Sequence, residues 1–132
     1  MKTRRFGSTI AVLAALVLVG TVSVSTSFAD DDEGREVHRY GVCSMGARWE
    51  LGAEDEGSRI DMEFDVDATA AGRTWHVKLR HEGDVFATLT RTTDRQGDFE
   101  VERSVRDTVG ADTLRARAVS PKGQVCKGGL SI

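Results

Sequence analysis

Trp75-His76-Val77-Lys78-Leu79-Arg80-His81-Glu82-Gly83-Asp84-Val85-Phe86-Ala87-Thr88-Leu89-Thr90-Arg91 alternates apolar and polar residues on both sides of a short Glu-Gly-Asp interruption. Residues two apart share one face of a strand, so Trp75, Val77 and Leu79 fall together and His76, Lys78 and Arg80 fall opposite. Glu82-Gly83-Asp84 carries turn chemistry, and the segment predicts a β-hairpin. The return strand sets Val85, Ala87 and Leu89 against Phe86, Thr88 and Thr90, and the pattern leaves open which set points inward.

Further alternating runs flank the hairpin. Ala47–Ala53 predicts a first strand with Ala47, Trp49 and Leu51 inward. Arg59–Asp67 is the most regular, with Ile60, Met62, Phe64 and Val66 separated by charges at every odd position. Asp98–Arg106 keeps Phe99, Val101 and Val105 in phase, but Arg103 breaks it, so a bulge or strand end is expected there. Asp112–Val119 turns Leu114, Ala116 and Ala118 inward, and Val125–Ile132 closes the chain. No run after residue 29 sustains a 3.6-residue period. Seven short strands separated by turns predict an all-β fold, an antiparallel β-sandwich over residues 37–132.

The first 29 residues read as a signal peptide: Lys2, Arg4 and Arg5 are followed by the apolar run Ile10 to Gly20, and Ser27-Phe28-Ala29 supplies small residues at a cleavage site. The alternative, an uncleaved anchor, is disfavoured by the Ser and Thr residues crowding Thr21 to Ser27. Export makes the expected location extracellular, with membrane contact through the leader alone. Residues 30–36, Asp-Asp-Asp-Glu-Gly-Arg-Glu, offer nothing apolar to bury and predict a disordered acidic N-terminus. Without the leader the chain keeps 15 basic and 21 acidic residues, a net charge of −6 that argues against nucleic acid as a partner. Its two cysteines, Cys43 and Cys126, are expected to pair in an oxidising compartment. Closing so long a loop restricts the unfolded chain by about 4 to 5 kcal/mol in the entropy model.

Catalytic and cofactor signatures are absent from the sequence. It holds no Gly-x-Ser-x-Gly elbow, phosphate loop, His-Glu-x-x-His pair or zinc-spaced cysteine cluster, so neither an enzyme nor a cofactor is expected. His38, His76 and His81 are scattered, and His76 and His81, five apart on a strand, point to opposite faces, so no metal site is expected.

Asp112-Thr113-Leu114-Arg115-Ala116-Arg117-Ala118-Val119-Ser120-Pro121-Lys122-Gly123 resembles the penultimate strand and following turn of fibronectin type III and related immunoglobulin-like domains. Asp112 stands where that family keeps its corner tyrosine. The Cys43 region, Trp75 to Gly83 and Ala111-Asp112-Thr113 also resemble small secreted actinobacterial proteins. These resemblances imply an antiparallel immunoglobulin-like β-sandwich and an extracellular address but no mechanism. In an immunoglobulin-like topology the first and last strands are neighbours at the sandwich edge, so Cys43 and Cys126 would tie the two ends of the domain together.

Sorting outward residues by sheet gives two unlike faces. The strands at 47–53, 59–67 and 98–106 present Glu50, Asp61, Glu63, Asp65, Asp67, Glu100 and Glu102 against Arg48, Arg59 and Arg106. The hairpin and last two strands present His76, Lys78, Arg80, Arg115 and Arg117, with Thr88, Thr90 and Phe86 beside them and Lys127 as a further candidate. The bland reading of such a face is solvation and cross-strand pairing. The functional reading is a monomeric, non-enzymatic module that grips an anionic extracellular or envelope partner, since guanidinium groups bind phosphate or carboxylate at two points. The alternative is a small-ligand carrier or inhibitor of an extracellular enzyme, acting through a cleft or through the loops at 68–73 and 92–97.

Overall fold

In the computed structural model, which describes residues 34–132, period-two patterning translates directly into burial. Trp75, Val77 and Leu79 are buried while His76 and Lys78 are exposed. The chain folds into β1 (Glu36–Val42), β2 (Arg48–Asp55), β3 (Arg59–Asp67), β4 (Thr74–His81), β5 (Asp84–Thr92), β6 (Asp98–Arg106), β7 (Thr113–Val119) and β8 (Val125–Ser131). All pairings are antiparallel, in two four-stranded sheets ordered β1-β2-β3-β6 and β5-β4-β7-β8. No helix occurs among the described residues. The sheets pack as a β-sandwich around Trp75, Phe64, Leu51, Ile60, Met62, Leu79 and Leu114, each under 2 % exposed. The expected leader and residues 30–33 lie outside the described residues.

Eight strands replace the seven expected. The addition is β1, whose one apolar core-side residue, Val37, is half-buried, while Tyr40 and Val42 stand exposed on the outer face. An edge strand that shows its larger apolar residues to water carries no inward alternation to read. Residues 35 and 36 consequently belong to the domain and not to a disordered tail: Glu36 opens β1, and the Arg35 carbonyl accepts from Asp55 N at 2.9 Å.

Two irregularities fall elsewhere than expected. β6 pairs with β3 in unbroken register through Arg103, which lies opposite Met62. Arg103 takes a core-side position on an edge strand, yet its side chain stays exposed and its Nη1 donates to the Glu102 carbonyl at 2.7 Å. A long side chain can leave a core-side position without bending the strand when no further strand lies beyond it. The bulge is in β5, where Leu79 pairs with Ala87 but Arg80 pairs with Val85, leaving Phe86 as the extra residue. The shift settles which way the return strand faces: Leu89 and Ala87 turn to the core, Phe86 joins them, and Val85 turns out.

Cys43, just after β1, is bonded to Cys126 on β8, so the disulfide joins the two sheets at one edge. Both cysteines are buried, which fits an oxidising, extracellular-type environment. The Gln124 Oε1 accepts from Met45 N at 3.2 Å and Ala47 N at 2.9 Å, and Ser44 N donates to the Val125 carbonyl at 2.9 Å. Trp49 fills the same edge. A Cβ at Gly41 would fall 2.4 Å from its indole and one at Gly128 2.5 Å, so glycine at both positions makes room for the ring.

Candidate binding face

Antiparallel register sets the outward residues of β4, β7 and β8 in rows. Lys78 lies opposite Arg117, which lies opposite Lys127; Arg80 lies opposite Arg115, which lies opposite Gly129. Neighbouring strands are about 4.8 Å apart, so three cations stand abreast in the first row and two in the next. They line a groove of about 550 Å³ above β8, where Gly129 contributes no side chain. A Cβ there would come to 3.4 Å from Arg115 Cγ, so glycine keeps that side of the groove open. No carboxylate among the described residues lies within ion-pairing distance of Lys78, Arg80, Arg115, Arg117 or Lys127.

The expected members of this face divide. Lys78, Arg80, Arg115 and Arg117 share the groove, and Lys127 joins them. Thr88 pairs with Lys78 and is exposed on the neighbouring strand, while His76 lies one row away between Thr90 and Val119. Phe86 does not belong: the bulge packs it against the core, so the aromatic contact expected beside the arginines is absent from this face.

The opposite face, on β1-β2-β3-β6, is acidic. Its rows place Tyr40, Glu50, Asp65 and Glu100 abreast, with Glu63 and Glu102 in the next. Burial pushes the Asp65 carboxyl up to about 8, reinforced by a hydrogen bond to Glu63 and by the charges of Glu63, Glu100 and Glu50. His38 Nε2 lies 2.5 Å from Glu36 and Nδ1 3.0 Å from Glu50; its pKa is raised, chiefly by the Glu36 hydrogen bond and against the effect of burial. Ser104 donates to Asp61. One oxygen each from Glu63, Asp65 and Glu100 lies within 4.8 Å of the others, a spacing that admits a hard cation.

A polar cluster that the sequence did not reveal sits where β6 turns into β7. Asp112 is fully buried; its Oδ1 accepts from Thr108 Oγ1 at 2.7 Å and meets His81 Nε2 at 2.5 Å, and its Oδ2 accepts from Thr108 N at 3.2 Å. Burial alone would raise this carboxyl, but the hydrogen bonds from Thr108 and His81 hold it down to about 2. Glu82, beside His81, accepts from Thr113 N at 2.5 Å. His81, Glu82 and Asp112 could offer a metal one ligand atom each, yet all three already serve in this corner tie. His81 and Asp112 are 31 residues apart, and only the antiparallel pairing of β4 with β7 brings them together.

No family model, curated protein or solved structure matches this chain. The resemblances drawn from its sequence stand on the residues that carry them, and its function has to be argued from the site.

Proposed function

We propose that this domain is a secreted, non-enzymatic binding module that takes an anionic partner, in the extracellular space or the cell envelope, on the outer face of β4-β7-β8. The observation that carries the reading is the row Lys78, Arg117 and Lys127, with Arg80 and Arg115 beside it and no carboxylate among the described residues paired to any of the five. Like charges directly opposite one another on a sheet destabilise it. A chain carrying more acidic than basic residues has carboxylates to spare for balancing such a row, and none among the described residues is spent on it. An anionic chain lying in the groove would supply the missing counter-charge, with arginine forks holding its phosphate or carboxylate groups.

The fold supports a binding role by resemblance. With β1 set aside, β2-β3-β6 over β5-β4-β7-β8 resembles the A-B-E and C′-C-F-G order of immunoglobulin-like sandwiches. Asp112, where fibronectin type III domains have their corner tyrosine, makes an equivalent tie to the backbone four residues upstream.

The test is retention on isolated cell envelope and on immobilised polyphosphate and polyglutamate, eluted by salt. The wild-type protein is expected to bind at least one of them and to release at raised salt. Changing Lys78, Arg80, Arg115 and Arg117 to Glu is expected to abolish retention while leaving the fold intact by circular dichroism. Equal retention of the variant would rule this face out.

A further inference from the structure

A second, smaller site lies at one end of the sandwich. The β1–β2, β3–β4 and β7–β8 loops there enclose a cleft of about 190 Å³, whose apolar wall is Met45, Ala68, Ala70 and Pro121 around Trp75. The rim is held in place. The Thr93 hydroxyl donates to the Ala70 carbonyl at 2.6 Å and accepts from Arg73 N at 2.9 Å, which fixes the β3–β4 loop. Gln124 and the Cys43–Cys126 bond fix the other two loops. A cleft built this way needs little ordering when a ligand arrives.

The charged and hydroxyl side chains that line it are donors. Trp75 is 1 % exposed, and its Nε1 finds no hydrogen-bond acceptor among the described residues. Leaving a buried N–H unpaired is costly, and few native donors are left so. Ser120 Oγ already accepts from Gln124 N, so its hydroxyl proton remains to be given. Arg73 and Lys122 line the cleft as exposed cations with no carboxylate among the described residues in ion-pairing range. The Gln124 acceptor oxygen is occupied by two backbone N–H groups. Two cations, a hydroxyl donor and an apolar wall suit a ligand that has an apolar body and an anionic head.

We infer that this cleft binds a small amphipathic carboxylate, its apolar body against Trp75 and its head group among Arg73, Lys122 and Ser120. The volume falls below the roughly 300 Å³ at which sites for drug-sized ligands begin, so the ligand is about the size of one large side chain. This site is separate from the basic groove and shares no residue with it.

Two tryptophans give two indole N–H resonances in ¹⁵N-labelled protein, assignable through space because Trp75 lies against Phe99 and Trp49 against Phe64. Titration with phenylacetate to about 10 mM is expected to shift the Trp75 indole saturably and leave that of Trp49 in place. Phenethylamine, with the same ring and the opposite charge, is expected to leave both in place. Replacing Arg73 and Lys122 by Glu is expected to weaken phenylacetate binding at least about tenfold. The variant carrying Glu at positions 78, 80, 115 and 117 is expected to bind phenylacetate as the wild type does. Absence of a saturable shift, equal response to the amine, or parallel shifts of both indoles would overturn the assignment.

Discussion

The two outer faces of the sandwich pose the same electrostatic problem and solve it differently. Each sets like charges in cross-strand rows: Glu50, Asp65 and Glu100 on one, Lys78, Arg117 and Lys127 on the other. On the acidic face the strain is relieved locally, by the proton held at Asp65 and by His38 lodged between Glu36 and Glu50. A carboxyl can take up a proton to escape its neighbours, whereas a guanidinium keeps its charge in any protein environment. Arg80, Arg115 and Arg117 have no such exit, and no carboxylate among the described residues pairs with them.

The largest effect that would sharpen this contrast is at Asp65. Its pKa rises on folding from 3.8 to about 8, so the folded state gains a proton, and stability should fall as pH rises through that window. Asp65→Asn is expected to stabilise the protein by about 1 to 2 kcal/mol at pH 8, allowing for solvent screening of a half-exposed group, and to flatten the pH dependence of urea unfolding between pH 4 and 8. An unchanged slope would mean that the acidic face holds no shared proton.

A smaller effect is expected on the other side. Arg117 is the middle cation of its row, and Arg117→Thr is expected to raise stability by roughly 0.2 to 1 kcal/mol while weakening retention on the anionic matrix. Higher stability with lower binding is the signature of charge kept for a partner. A loss of stability would instead mark Arg117 as part of the framework. The smallest effect is at His38, whose raised pKa makes it a clamp that is fully present below pH 6.5 and lost as pH climbs through its folded value. Because the pair is exposed, His38→Gln should cost under about 0.5 kcal/mol at pH 6 and nothing at pH 9.

Much of this layout is legible in the sequence because burial on one side of a sheet imposes period two. The face of β3 is legible from its apolar residues at every even position, and so are those of β4 and β7 from Trp75, Leu114 and the four inward-phased residues Val77, Leu79, Ala116 and Ala118. The pairing of Cys43 with Cys126 followed from their number. The misses share one cause: alternation describes a residue's side but not its neighbours. Arg103 lies on the core side of β6, and Arg91, opposite Trp75, lies on the core side of β5. Both escape at sheet edges, Arg91 donating to the Glu100 carbonyl of the facing sheet at 3.3 Å. Charges placed inward on edge strands discourage further strands from adding there. Phe86 changed sides through a one-residue slip that no periodicity encodes. The His81 and Asp112 pair needed the register between β4 and β7, and the Trp75 cleft needed three loops to converge.

The disulfide has a mechanical consequence. Pulling on the two ends of the chain would load the bond between Cys43 and Cys126, and the 83-residue separation between them would bear none of the tension. β1 and the last six residues could peel away, but roughly 280 Å of contour, at about 3.4 Å per residue, would stay shielded behind a covalent shunt. A domain stressed between its termini would act as an inextensible link for as long as that bond remained oxidised.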